Sequence, residues 1–280
     1  MKLATIRTLD GATRAVRVED DRLVDLGAAD LGAFLADPGW AERAAAAIEP
    51  VSAVRGATFA PVVPHPGKIV CVGLNYRTHI LEMGRDLPDH PTLFSKYAET
   101  LVGANDDIVM PPETDALDWE CELAVVIGTP VRRARGVDAE RAIAGFAVLN
   151  DVTCRDWQFR TREWLQGKNW EATTPLGPYL VTPDELPGGV RPTLAISTEV
   201  DGETVQEDST GDLLFDPVAL VEYVSTMVTL RPGDVIATGT PGGVGHARTP
   251  ARYLATGQVL TTAISGLGHC ENPVVAGSGV

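Results

Sequence analysis

Asp118-Trp119-Glu120-Cys121-Glu122-Leu123-Ala124-Val125-Val126-Ile127-Gly128 is the stretch whose reading decides the fold. Its apolar run is short and β-branched, as in a strand. Side chains alternate faces along a strand, so Glu120 and Glu122 share one face while Cys121, Leu123, Val125 and Ile127 share the other. Two like charges at the entrance of an apolar strand have two explanations. Either the strand end is exposed and the Glu pair is solvated or bridged to a Lys, or the carboxylates hold a hard cation such as Mg²⁺ or Mn²⁺.

Outward from this strand, further β-rich runs follow from Lys68 on: Lys68–Val72, Glu122–Ile127, Ala147–Val152, Leu194–Val200, Val235–Thr238 and Gln258–Ile264, separated by Gly, Pro and Asp. Helices are expected at Ala139–Ala144 and Pro217–Met227. Strands without regularly intervening helices predict a mixed or antiparallel β architecture and not a doubly wound sheet. The chain before them reads as a small unit, with strands at Lys2–Thr8, Thr13–Val18 and Leu23–Leu26, a turn at Asp10–Gly11 and a helix at Trp40–Ile48. Pro61 and Val62–Pro66 supply a linker, which divides a small N-terminal domain, 1–65, from a main domain, 66–280. The end of the chain, from about Ala276, is expected to fray.

Composition narrows the function classes. The chain has 280 residues, enough for one large domain or one with a small appendage. Its 38 Asp and Glu against 23 Lys and Arg give a net charge of −15, which argues against a nucleic-acid partner. No stretch approaches the roughly 18 apolar residues of a membrane span. The start, MKLATIRTLDGATRAV, lacks the apolar core of a secretory signal, so a cytoplasmic protein is expected. Cys71, Cys121, Cys154 and Cys270 form no C-x-x-C pair and read as buried reduced thiols. Such an acidic chain would repel an anionic substrate, so a site for one needs its own positive charge, from a metal or a buried Lys.

Four other segments carry chemistry-bearing residues. Phe146-Ala-Val-Leu-Asn150 ends in Asp151, with Arg155 and Gln158 following. Asp151 suits either an Asx turn or the completion of a metal site. In Asn75-Tyr76-Arg77-Thr78-His79-Ile80-Leu81-Glu82, one helical turn would put His79 and Glu82 at i and i+3, as a general-base dyad or as a solvated surface pair. Gly167-Lys168 places one Lys in a Gly/Pro-framed loop. Gly239-Thr240-Pro-Gly-Gly-Val-Gly245 can bring backbone N–H groups to a ligand, yet it lacks the G-K-[ST] of a P-loop, which excludes the common nucleotide sites. Either loop serves equally well as a tight turn.

Taken together and in this order, N-Y-R-x-H-x-x-E at Asn75–Glu82, E-x-E at Glu120–Glu122, N-D-V-x-x-R-D-x-Q at Asn150–Gln158, G-K at Gly167–Lys168, P-L-G-P at Pro175–Pro178 and PGDVIATGTPGGVG from Pro232 to Gly245 resemble the fumarylacetoacetate hydrolase family, acylpyruvase or fumarylpyruvate hydrolase branch. The likeness runs from about Lys68 to Val275. It implies an α+β, β-rich fold, a mixed β-roll with a small N-terminal β-rich domain, acting as a homodimer on a small 2-keto acid. It also implies metal ligands Glu120, Glu122 and Asp151 holding Mg²⁺ or Mn²⁺, or Ca²⁺; catalytic His79, Glu82 and Lys168; and Arg155, Gln158, Thr240 and Tyr76 around the substrate. The reaction it implies is hydrolysis of a carbon–carbon bond in a 2,4-diketo acid. Alternatives are oxaloacetate decarboxylation, 2-keto acid hydration or isomerisation, and a metal-binding homologue without activity. The chain departs from the family pattern at Asn169-Trp170-Glu171, where Ser-Phe-Asp is common, and at Tyr97, where Pro is common; Trp170 either narrows the pocket or packs.

Overall fold

The strand read first, Cys121–Ile127, lies inside a large mixed sheet of the computed structural model, which describes residues 1–20, 22–53 and 56–277. It pairs antiparallel with Ile143–Asn150 on one side and Val235–Ala237 on the other. The main path then runs through Ile69–Gly73, parallel to Val235–Ala237, and ends at Thr92–Lys96. In the other direction Ile143–Asn150 pairs with Thr174–Val181, which pairs with Lys2–Arg7. The N-terminal strands Thr13–Glu19, Arg22–Asp25 and Pro50–Ala53 extend the same sheet, so residues before the linker continue the ladder. A second sheet orders Glu203–Ser209, Ala195–Val200, Val259–Ile264, Gly268–Ala276 and Ile108–Met110. This is the mixed β architecture that the strand pattern implies and the β-rich α+β roll that the family resemblance implies.

All seven residues of Cys121–Ile127 are buried, because both faces of the sheet are covered. Cys121, Leu123, Val125 and Ile127 pack with Ile196 and Ile264 of the second sheet and with Val218, Val221 and Val224 of the helix Pro217–Met227. Ala124 and Val126 face the opposite layer, with Leu31, Phe34 and Leu35 of the N-terminal region. Each fully buried Val, Leu or Ile contributes about 1.5–3 kcal/mol, so the strand is fixed in register by both layers.

Two expectations need correction. The helix placed at Ala139–Ala144 is Val137–Ala142, and the strand placed at Ala147–Val152 begins at Ile143. Alanine favours helix, but Ile143 pairs with Ile127 across a bulge and is buried, so the tertiary ladder overrides local propensity. The strand Gly268–Ala276 runs as far as Ala276, which pairs with Met110, so the tail expected to fray from about there falls mainly beyond it. Residues 278–280 lie outside the described residues.

Candidate active site

The antiparallel pairing of Cys121–Ile127 with Ile143–Asn150 builds the site. Cys121 lies opposite Asn150, and the Asp151 N–H donates to the Glu120 carbonyl at 2.8 Å, so Glu120 and Asp151 leave adjacent strand ends side by side. Asn150 holds this end, accepting from the Glu120 N–H at 2.9 Å and donating to Thr262 Oγ1 at 2.8 Å. One oxygen from each of Glu120, Glu122 and Asp151 lies within 4.8 Å of the others, and all three residues are buried.

Three buried cations surround these groups. Lys168 Nζ donates to Glu120 Oε2 and to Asp151 Oδ2, each at 2.7 Å. Lys96 Nζ donates to Asp151 Oδ1 at 2.8 Å and to the Val152 carbonyl at 3.1 Å. Arg155 donates through Nε to Asp118 Oδ2 at 2.7 Å and through Nη1 to Gln158 Oε1 at 2.9 Å, and its Nη2 lies 2.6 Å from Glu120 Oε1. Among the described residues, four buried carboxylates thus meet three buried cations, and Glu122 is the carboxylate without an ion-pair partner. Its Oε2 accepts only the Gly239 N–H, at 2.8 Å.

The titration behaviour follows this imbalance. Burial, then the charges of Asp151 and Glu120, pushes Glu122 well above the usual carboxylate range. Burial also acts to raise Asp151, but Lys168 and Lys96 outweigh it and hold Asp151 below its ordinary value. Burial acts to lower Lys168, and Asp151 with Glu120 reverses this, so the ammonium stays charged. A hard, all-carboxylate donor set with one uncompensated negative charge fits a divalent, oxygen-seeking cation. The bridging Lys168 shows that the pocket already accepts positive charge between Glu120 and Asp151.

Two glycines allow the close approaches. A Cβ on Gly167 would lie 2.6 Å from the backbone nitrogen of Gln158, so only glycine lets the turn carrying Lys168 sit against the turn carrying Arg155 and Gln158. Gly239 has φ +97, and a Cβ there would approach Asn75 Cβ at 2.9 Å. This left-handed position aims its N–H at Glu122.

A cavity of about 380 Å³ opens over the carboxylates. His79, Glu120, Glu122, Arg155, Gln158, Lys168 and Thr240 line it, together with an apolar group that includes Met83, Phe94, Phe159, Trp164 and Val244. His79 is half-buried on the helix Arg77–Glu82, and burial lowers its imidazole below the ordinary value even though Glu82 and Glu120 oppose the shift. Glu82 is exposed. Both side chains converge over Gly242, where a Cβ would lie 3.3 Å from His79 Nδ1 and 3.6 Å from Glu82 Oε2.

Not every candidate meets the cavity. Tyr76 is fully buried in the core and is not among the lining residues. Trp170 also packs away from the cavity: its ring meets Trp157 edge-on at 5.0 Å and its Nε1 donates to the Gln166 carbonyl. Trp164 is the indole that lines the site, with Phe94 edge-on at 5.5 Å. Asp118 and Lys96 were not singled out from the sequence. Asp118 has the same strand parity as Glu120, a usable signal, while nothing local to Lys96 marks it as buried.

Comparison with known proteins agrees with this arrangement. Residues 68–275 match the family described as Fumarylacetoacetate (FAA) hydrolase C-terminal. A mitochondrial oxaloacetate tautomerase of Homo sapiens is 44% identical over 237 residues, 84% of this chain and 75% of that protein. The solved fumarylacetoacetate hydrolase of Exiguobacterium antarcticum is 32% identical with a TM-score of 0.86, covering 99% of this chain and 100% of that one. The 5-carboxymethyl-2-hydroxymuconate delta-isomerase of Mycobacterium smegmatis is 30% identical with a TM-score of 0.79, covering 100% of each chain. The relatives therefore favour isomerisation, one of the alternatives read from the sequence, over the hydrolysis placed first there. With its matched segment spanning most of the sequence and its carboxylate cluster assembled as the motifs imply, the chain belongs to the fumarylacetoacetate hydrolase family.

Proposed function

We propose that the protein interconverts the keto and enol forms of a small 2-keto dicarboxylic acid of the oxaloacetate type, with a divalent cation held by Glu120, Glu122 and Asp151. The observation that carries this reading is one cavity that combines cationic groups, Lys168 and Arg155, with a half-buried imidazole, His79. The kinship with proteins named oxaloacetate tautomerase supports it. Glu120, Glu122 and Asp151 would hold the cation, and it would supply a Lewis acid that polarises the substrate carbonyl.

The chain's own residues supply the proton transfer. His79, kept neutral to lower pH by burial, takes a proton from C3 of the keto form. The C3–H electron pair becomes the C2=C3 double bond, the carbonyl pair moves to O2, and O2 takes up one proton as the His79 imidazolium gives one up, so the ring ends neutral again. Lys168, charged and fixed by two carboxylates, stabilises the developing negative charge. Arg155 and Gln158, locked to each other, present a rigid polar wall for the substrate carboxylate.

The convergence of His79 and Glu82 over Gly242 favours a second reading, in which the pair activates water to hydrolyse a 2,4-diketo acid. Purified protein with Mg²⁺ or Mn²⁺, given oxaloacetate or acetylpyruvate separately, separates the two. Faster exchange of the C3 protons of oxaloacetate without added pyruvate supports tautomerisation. Stoichiometric pyruvate and acetate from acetylpyruvate, with no effect on oxaloacetate, overturns it in favour of hydrolysis.

A further inference from the structure

Gln206 lies on the strand Glu203–Ser209 of the second sheet, remote in sequence from every motif above, yet its amide touches the site at two points. Its Oε1 accepts from the Cys121 N–H at 3.1 Å, between the two glutamates, and from Thr198 Oγ1 at 2.8 Å. Its Nε2 donates to Thr240 Oγ1 at 2.9 Å and to the Pro241 carbonyl at 3.1 Å. The side chain is buried.

Only one orientation of this amide is allowed. Flipped, Nε2 would face the Cys121 N–H, donor against donor, and Oε1 would face the Pro241 carbonyl, acceptor against acceptor. Nε2 therefore points at Thr240, and because an amide nitrogen cannot accept, the Thr240 hydroxyl cannot direct its own hydrogen back to Gln206. Among the described residues that hydrogen has no protein acceptor, while Thr240 lines the cavity beside Glu120 and Lys168.

We infer that Gln206 is a positioning residue that fixes the polarity of Thr240, making its hydroxyl a hydrogen-bond donor to the carboxylate of the bound keto acid. The same amide ties the loop carrying Thr240 to the strand carrying the glutamates, so the donor and the carboxylate cluster are held in one frame. This inference rests on the keto-acid reading of the cavity.

Calorimetric binding of oxalate in the presence of Mg²⁺ tests it, because oxalate offers the carboxylate without turnover. Thr240→Val removes the hydroxyl at constant shape and is expected to weaken oxalate about tenfold to a hundredfold, the usual range for a hydrogen bond to a charged group. Thr240→Ser keeps the hydroxyl and should bind within about threefold of the wild type. Gln206→Met removes the amide that fixes the hydroxyl without adding charge, so it should weaken oxalate in the wild-type background and have little further effect in Thr240→Val, with a melting curve of each variant showing that it is folded. Additive effects of Gln206→Met and Thr240→Val, or a Thr240→Ser as weak as Thr240→Val, overturn the polarity assignment while leaving the keto-acid site standing. A wild type that ignores oxalate overturns both.

Discussion

Glu122→Gln should make the metal-free protein more stable while abolishing its response to metal. Glu122 is 1% exposed, accepts one backbone N–H and faces two further carboxylates whose oxygens lie within 4.8 Å. At that distance, with an effective dielectric constant of about 20, one like-charge pair costs about 3.5 kcal/mol, which Lys168 beside the cluster partly offsets. A net gain of about 1–3 kcal/mol for the glutamine is therefore expected at neutral pH, since its oxygen still accepts from Gly239 and its amide donates to a neighbouring carboxylate. For a chain this long that is a rise in Tm of roughly 2–8 °C. The sign with pH follows from linkage. A carboxyl raised in the folded state binds more protons folded than unfolded, so the wild type loses stability as pH rises above its unfolded-state value, and Glu122→Gln does not share this loss. The assay is a melting curve in chelator across pH 5–9 (a span of about four units around neutrality), repeated with Mg²⁺ and Mn²⁺. A lower Tm for Glu122→Gln in chelator, or an equal metal-induced rise in both proteins, would refute the charge imbalance.

Lys168→Met should cost about 10²–10³ in kcat, because it removes an electrostatic stabiliser. It should also lower the metal-free Tm, since two buried carboxylates lose their shared partner, with saturating Mg²⁺ restoring most of the difference; steady-state rates and melting curves read both effects. With His79 as the base, kcat/KM should fall on the acid side through a value below the ordinary imidazole range, because the neutral ring is the active form and burial extends it to lower pH; a limb above that range, or one that persists in His79→Gln, contradicts the assignment. Gly167→Ala should displace the Lys168 turn from Gln158, costing about 1–3 kcal/mol of stability and most of the activity, as seen in a denaturant titration and a rate measurement.

The carboxylate cluster was legible in part from local signals, and that the three residues form one set came from the family resemblance. Glu120 and Glu122 differ by two residues and so share a strand face, and Asp151 ends the neighbouring apolar run. The partners that give those residues their charge state were not. Lys96 closes a strand at the far end of the sheet, and its burial against Asp151 depends on the turn after Asn150. Gln206 approaches Cys121 from the second sheet, a long-range contact without periodicity to betray it. Ile143 was misassigned for the related reason that its strand pairing with Ile127 outweighs an alanine-rich helical context. Tyr76 shows the reverse case, since a residue inside a site motif serves packing.

The most direct test is a stopped-flow measurement of enol-oxaloacetate disappearance, followed by its ultraviolet absorbance against a blank of buffer and metal alone. With Mg²⁺ or Mn²⁺ the wild type should accelerate the conversion far above that blank, chelator and Glu122→Gln should each return it to the blank, and no pyruvate should accumulate. A wild-type rate equal to the blank, or an acceleration that survives both chelator and Glu122→Gln, would contradict a carboxylate-held cation at the centre of this chemistry.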